Sequence, residues 1–494
     1  MKRIFKIFLA ATLVILLTNC DDYLERDPIG LLTPEQVNME PTVTSVKYSV
    51  SSSYQLLSST LNIIGDWGWD DGVVTRNDFI LQDIASDDMQ KKWNPDGDQA
   101  WMDQFDNFSF IASNGGFNGT WSYDYEGISR ANTAISYLTD EEMMSKLNME
   151  ASLKNRLLGE SYFLRAFYYF DLVTDFGDVP LLLTPLNSFE EAYEVATRTD
   201  KAQVWEQISS DLGNAKDLLP NSKYSVTDEK WRVSIGAVTA LQAKVALYNE
   251  NWAEVIALVT ELEGSGFYQL NANYFDNFDV TKEFLEDEVI FAYDHQTAQT
   301  PTKGNGLCAL AGWGFVAPEA NFLEEFEAND PRLLYTADAE NKNVNKLFGT
   351  LDGDNKGNED APSNKIYIRF ADVLLWKAEA YLETGDLPKA ITLINDIRYR
   401  ARNSVAIDST LPPEGTLPDR NVASTNETEV RNWLIHERRV ELGFESHRFN
   451  DLKRWGIAKE VLGSRGFQDK NQVYPIPQGE IDKSGGSITQ NTGY

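Results

Sequence analysis

The chain has 494 residues, 42% of them hydrophobic and 12% aromatic, enough to bury a sizeable core and too apolar for global disorder. Its 76 acidic against 44 basic residues give a formal charge of −32, which repels phosphate backbones and excludes nucleic acid as a partner. That surface favours partners that are neutral or cationic.

In chain order, Lys2, Arg3 and Lys6 open a basic segment, and residues 7–17 are apolar apart from Thr12. The run is too short to span a bilayer well and reads as a secretory signal over residues 1–19. It ends in Leu17-Thr18-Asn19-Cys20, which resembles the cleavage box of bacterial lipoproteins, although Asn19 replaces the usual small residue. Cys20 is therefore the expected lipidation site, with residues 20–34 as tether and residues 35–494 as one globular domain. The only other cysteine, Cys308, then lacks a partner, so neither a disulfide framework nor a cysteine-ligated metal site is expected.

Thr33-Pro34-Glu35 supplies a helix start, with a capping hydroxyl, a first-turn proline and an acid near the positive helix end. Between positions 67 and 121, Trp67, Trp69, Trp93, Trp101 and Trp121 are interleaved with acids, asparagines and glycines without helical period, a loop-like pattern. Helical periodicity then dominates: Leu153, Leu157, Glu160, Leu164, Phe167 and Phe170 recur at three- and four-residue steps, as do Val204, Ile208, Leu212 and Ala215 before Pro220. Residues 288–293 are the best strand candidate. Ala380-x4-Gly385-x4-Ala390 and Ala246-x4-Asn251-x4-Ile256 each fit a helix, a tight turn and a second helix, with Gly385 and Asn251 expected in the left-handed turn position. This is the logic of a tetratricopeptide hairpin. The fold class expected is mainly α: tetratricopeptide-like helix pairs forming a scaffold, with irregular loop-rich insertions and few short strands.

The segment from Glu437 to Trp455 gathers Glu437, Glu441, Glu445 and Asp451 near His436, His447 and several arginines. Val440 stands where a zinc-protease helix needs its second histidine, so this segment reads as a structural ion network and not as a catalytic centre. Residues 352–357 begin like a calcium loop, but Lys356 and Ser363 occupy ligand positions. No phosphate-binding glycine loop or nucleophile elbow is present, and His295, His436 and His447 are not spaced as a metal cluster. No catalytic residue, metal or cofactor is expected.

A series of motifs spans nearly the whole chain in order: Ala85-Ser86-Asp87-Asp88, Arg130-Ala131-Asn132, Gly159-Glu160-Ser161-Tyr162, Phe176-Gly177-Asp178-Val179-Pro180-Leu181 and Gly312-Trp313-Gly314-Phe315. They continue with Asn329-Asp330-Pro331-Arg332, Tyr367-Ile368-Arg369-Phe370-Ala371-Asp372, Glu437-Arg438-Arg439-Val440-Glu441-Leu442, His447-Arg448-Phe449 and Tyr474-Pro475-Ile476-Pro477-Gln478. Together these resemble the SusD/RagB family. The resemblance implies an outer-membrane lipoprotein facing the cell exterior, which caps a SusC-like TonB-dependent transporter and delivers oligosaccharide to it. A surface glycoside hydrolase and a tetratricopeptide adaptor that binds only protein are the alternatives.

A neutral glycan presents hydroxyls and apolar C–H faces, so its receptor needs flat rings together with Asp, Asn, Arg or Gln. The resemblance places such residues on Trp93 and Trp313 first, then Trp101, with Trp67, Trp69 and Tyr293 behind. Asp87 and Asp88 join this set as motif residues able to support the binding loop. Trp121, on a predicted helix, is expected in the core.

Overall fold

The structure is a computed structural model and describes residues 41–58, 63–64, 76, 78–92, 99–293, 311, 314–348, 363–405 and 410–494. Helix α1 (Val43–Tyr54) starts at a capping box in which Thr42 and Ser45 exchange side-chain and backbone hydrogen bonds. A π-helical turn over Ile80–Ile84 leads to strand β1 (Met89–Lys91) and helix α2 (Ala100–Asp106). Two long helices follow, α3 (Gly115–Thr139) and α5 (Ala151–Phe176), separated by the short α4 (Glu141–Leu147). Helix α6 (Phe189–Val195) precedes α7 (Lys201–Leu218), which ends two residues before Pro220.

The expected periodic blocks fall on α5 and α7, and α5 packs between α3 and α7. Close approach explains the small residues there. A Cβ on Gly127 would come within 2.4 Å of the Tyr168 ring, which forces α3 and α5 together at that point. Glu160, within the apolar run of α5, is fully buried and satisfied by Arg156, by Arg232 at 2.7 Å and by the Tyr54 hydroxyl at 2.8 Å. Arg165 grips Asp211 of α7 with two bonds of 2.7 Å.

The two helix pairs expected from spacing are α8 (Ile235–Tyr248) with α9 (Trp252–Ser265), and, further on, Phe370–Glu383 with Leu387–Arg402. In the second pair Gly385 takes φ +83 and Asp386 caps the next helix, as the spacing predicts. In the first pair the register differs by one residue. Glu250 holds the left-handed conformation at φ 57, while Asn251 sits at φ −84 with its N–H on the Ala246 carbonyl, so Val255 rather than Ile256 is the fully buried residue. Gly385 therefore corresponds to Glu250.

Strand β2 (Val289–Tyr293) matches the predicted strand and pairs with β4 (Lys365–Arg369), while β3 (Val316–Pro318) pairs antiparallel with β1. These are the sheets of the described residues. After β3 come α10 (Ala320–Glu325) and α11 (Arg332–Thr336); after β4 come α12 (Phe370–Glu383), α13 (Leu387–Arg402), α14 (Glu427–Leu442), α15 (Arg448–Arg454), α16 (Ala458–Leu462) and α17 (Gln478–Lys483). One hydrophobic cluster runs from Val46 to Ile488, and Trp121 belongs to it at 4% exposure, as expected. The protein is mostly helical, with few short strands, on a tetratricopeptide-like scaffold.

Candidate functional site

Trp67, Trp69, Trp93 and Trp313 lie outside the described residues, as do Cys20, His295 and Cys308. The scaffold that carries their segments is described at both ends. Lys91 pairs with Val316, and the Lys92 N–H donates to the Phe315 carbonyl at 2.7 Å, so the residues adjoining Trp93 and Trp313 in the chain form the end of one antiparallel ribbon.

The other departures converge on a second anchor. Arg76, where the chain re-enters the described structure after Trp67 and Trp69, is fully buried and binds Asp124 of α3 at 2.7 Å and Asp171 of α5. Its neighbour Asp78 takes the Lys365 ammonium, and Lys365 stands opposite Tyr293 in the β2–β4 pair. A cavity opens beside this anchor among Arg76, Asp78, Asp171, Lys244, Lys365 and Tyr367.

The ribbon is fixed from below by the acidic motif that precedes it. Asp87 accepts from Arg448 Nε at 2.8 Å and Nη2 at 3.0 Å, and its carboxylate lies 2.9 Å from Arg439 Nη2; Asp88 accepts from Arg439 Nε at 2.7 Å. Burial pushes the Asp87 carboxyl up, but the Arg448 hydrogen bonds and both guanidinium charges outweigh it and hold it below the usual carboxylate range. Asp88, deeper still, is raised by burial. With exposures of 4% and 1%, these two acids are grouped with the candidate binding residues but lie buried beside the ribbon, in the supporting position the motif reading allows.

Trp101 and Tyr293 also depart from expectation. Trp101 is 9% exposed, edge-on to Phe105 at 6.4 Å, with its indole N–H on the Gln99 side chain at 2.8 Å. Tyr293 is 8% exposed and packs against Trp231 at 6.2 Å. Neither ring leaves an open face for stacking. The sequence shows both as aromatics near turn residues; it does not show that Trp101 starts a helix and that Tyr293 ends a strand over the core.

The cluster that invites a catalytic reading is a buried lattice. Arg332 joins Glu437 at 2.7 Å and Glu441 at 3.0 Å; Arg369 joins Glu441 at 2.6 Å and Glu288 at 2.9 Å; Lys346 joins Glu445 at 2.7 Å. Burial raises the Glu441 and Glu445 carboxyls, yet Arg400, Arg369 and Arg332 hold Glu441 at about 2, and Arg369 with Lys346 holds Glu445 at about 2. A general acid needs a value near the working pH, so these groups are structural. His436 is buried, which lowers its basicity, but Glu325 and Glu327 raise it to about 9 and make it a cation at neutral pH. Among the described residues no group of three or more His, Cys, Asp or Glu side chains could hold a metal, and no helix is long and apolar enough to cross a membrane.

Helix hairpins around an ion-pair lattice, with a short antiparallel ribbon joined to it through Asp87 and Asp88, define the class of helical scaffold seen here. The chain resembles the SusD family along most of its length. A pattern described as "SusD family" matches residues 339–469, and one described as "Starch-binding associating with outer membrane" matches residues 31–247. The chain is 27% identical to SusD-like protein P2 of Formosa agariphila over 98% of each chain. Among solved structures it resembles a laminarin binding SusD-like protein (26% identity, TM-score 0.73, covering 92% of this chain and 100% of that one). It shares its fold with surface glycan-binding protein A from Bacteroides fluxus (22% identity, TM-score 0.73, covering 92% and 99%).

Proposed function

We propose that this protein is a surface lipoprotein that binds oligo- or polysaccharide without cleaving it and hands it to a SusC-like TonB-dependent transporter in the outer membrane. The observation that carries the reading is the β1–β3 ribbon, whose hydrogen-bonded end at Lys92 and Phe315 joins the two segments holding Trp93 and Trp313. Stacking falls to Trp93 and Trp313, assisted by Trp67 and Trp69, while Trp101, Tyr293, Asp87 and Asp88 support the loops from within. Residues 35–494 are taken as one domain, most of whose buried apolar residues join one large cluster, and Cys20 supplies the anchor.

Laminarin, which one structural relative binds, and starch, which the description of the matching family names, are the first probes. In affinity gels cast with these and other neutral glycans, the wild type is retarded by at least one. Trp93→Ala and Trp313→Ala each weaken that retention about tenfold, ~1.4 kcal/mol, as expected for an aromatic anchor at a shallow site. Release of reducing ends in proportion to protein would overturn the non-catalytic reading, and no retardation by any glycan would overturn the binding one.

A further inference from the structure

Arg465 follows α16 and is remote in sequence from β1, α2 and β3, yet its guanidinium is shared among residues at the ends of all three. Nη1 donates to the Ser86 carbonyl at 2.5 Å, ahead of β1, and lies 3.1 Å from the Glu319 carboxylate, just after β3. Nε donates to the Asp106 carbonyl and Nη2 to Asp106 Oδ1, each at 2.9 Å, at the end of α2. The other carboxylate oxygen, Oδ2, accepts from the Lys91 N–H of β1 at 2.9 Å, and the Glu319 N–H donates to the Asp88 carbonyl at 2.9 Å. The chain on both sides of residues 93–98 is thus tied together through Asp106, and β3 is tied to both through Arg465. Gly466 lets the backbone deliver this side chain: at φ +109 it passes so near Asn107 that a Cβ would stand 2.5 Å from the Asn107 carbonyl oxygen.

We infer that Arg465 is a positioning residue for glycan binding: its planar fork sets the spacing of β1, α2 and β3, and so the geometry from which the tryptophan-bearing segments depart. The inference rests on the glycan-binding reading. A lysine cannot reproduce it, because its three donors radiate from one point and cannot span the separated acceptors that the planar guanidinium reaches with Nε, Nη1 and Nη2. Loss of the cation need not unfold the protein. Arg465 is one-fifth exposed, and burial already lifts Asp106 to about 7, so the acid left behind can take up a proton.

The test compares wild type with Arg465→Met, Arg465→Lys and the control Lys459→Met, which removes an exposed charge on α16. Two quantities are measured on each: retention by whichever glycan retards the wild type, and amide hydrogen exchange at Lys91, Lys92 and Glu319 without glycan. Arg465→Met is expected to exchange about tenfold faster at those amides and to bind about tenfold more weakly, with the urea midpoint shifted little. Arg465→Lys should recover part of both, and Lys459→Met should match wild type. Unchanged exchange at the three amides overturns the inference whether or not any glycan binds. Unchanged affinity in Arg465→Met, in a wild type that does bind, overturns it as well. A wild type that binds no glycan overturns the binding role of Arg465 together with the proposed function.

Discussion

Arg439 donates to Asp88 through Nε at 2.7 Å, to Glu325 through Nη1 at 3.0 Å and to the Asp87 carbonyl through Nη2 at 2.7 Å, while only 6% of its side chain is exposed. Removing one partner of such a lattice leaves charges buried without compensation, so Arg439→Met is expected to lose about 3–5 kcal/mol in urea unfolding, far more than a surface arginine. A loss below about 1 kcal/mol would show that water already screens the motif. His436 gives a test with a defined pH window. Its folded value of about 9 lies above the ordinary 6.5, so its contribution is complete below pH 6.5 and disappears as pH rises through 9. The contacts responsible are Glu325 at 2.6 Å and Glu327, whose oxygen lies 3.2 Å from Nε2. His436→Gln should therefore be less stable than wild type by up to about 3 kcal/mol at pH 6, with the gap closing by pH 9.5. A gap independent of pH would mean that packing, not charge, explains the loss. Sequence shows the acids and arginines of this region but not their pairing, since Asp87 and Arg448 are brought together from opposite ends of the chain.

Helix pairs are the element that spacing reveals best, because a small residue, a turn and a second small residue describe a local object. Gly385 at φ +83 meets no atom within 4 Å of an added Cβ, so Gly385→Ala tests backbone strain alone and should cost about 1 kcal/mol. Glu250 occupies the corresponding position at φ 57 with a side chain that prefers not to be there. Glu250→Gly is expected to leave stability unchanged or raise it by up to about 1 kcal/mol, the opposite sign at an equivalent site, measured by thermal unfolding. Where the sequence reading slipped, it took Asn251 as the left-handed residue because asparagine tolerates that conformation; the helix instead uses it as a cap one residue later. Gly127→Ala tests contact between elements. Its Cβ would press on Tyr168, so α3 and α5 must separate, and a loss of about 2–3 kcal/mol is expected.

Across the whole molecule, buried ion pairs make stability a function of pH. Glu441, Glu445 and Asp451 are each held at about 2 because neighbouring arginines outweigh burial. Acids depressed in this way contribute fully above about pH 4.5, and that contribution is lost as pH falls towards 2. Asp106 and Asp175, raised to about 7 by burial, act with the opposite sign between about pH 4 and 7. The urea midpoint should thus rise between pH 7 and 5, as Asp106 and Asp175 take up protons, and collapse between 4.5 and 2; a constant midpoint down to pH 3 would contradict the lattice. The proposed lipid anchor has its own test: Cys20→Ser is expected to leave the unfolding transition unaltered and to move the protein from the membrane to the soluble fraction. Composition, the helical period and the order of short motifs determined the mainly α class, the helix hairpins and the family resemblance, because each depends on residues close together in the chain. Only the tertiary structure decided which aromatic rings are sealed and which acids are spent on ion pairs, and it alone brought out the role of Arg465. Burial and charge pairing depend on residues hundreds of positions apart, and no local pattern in the sequence encodes that distance.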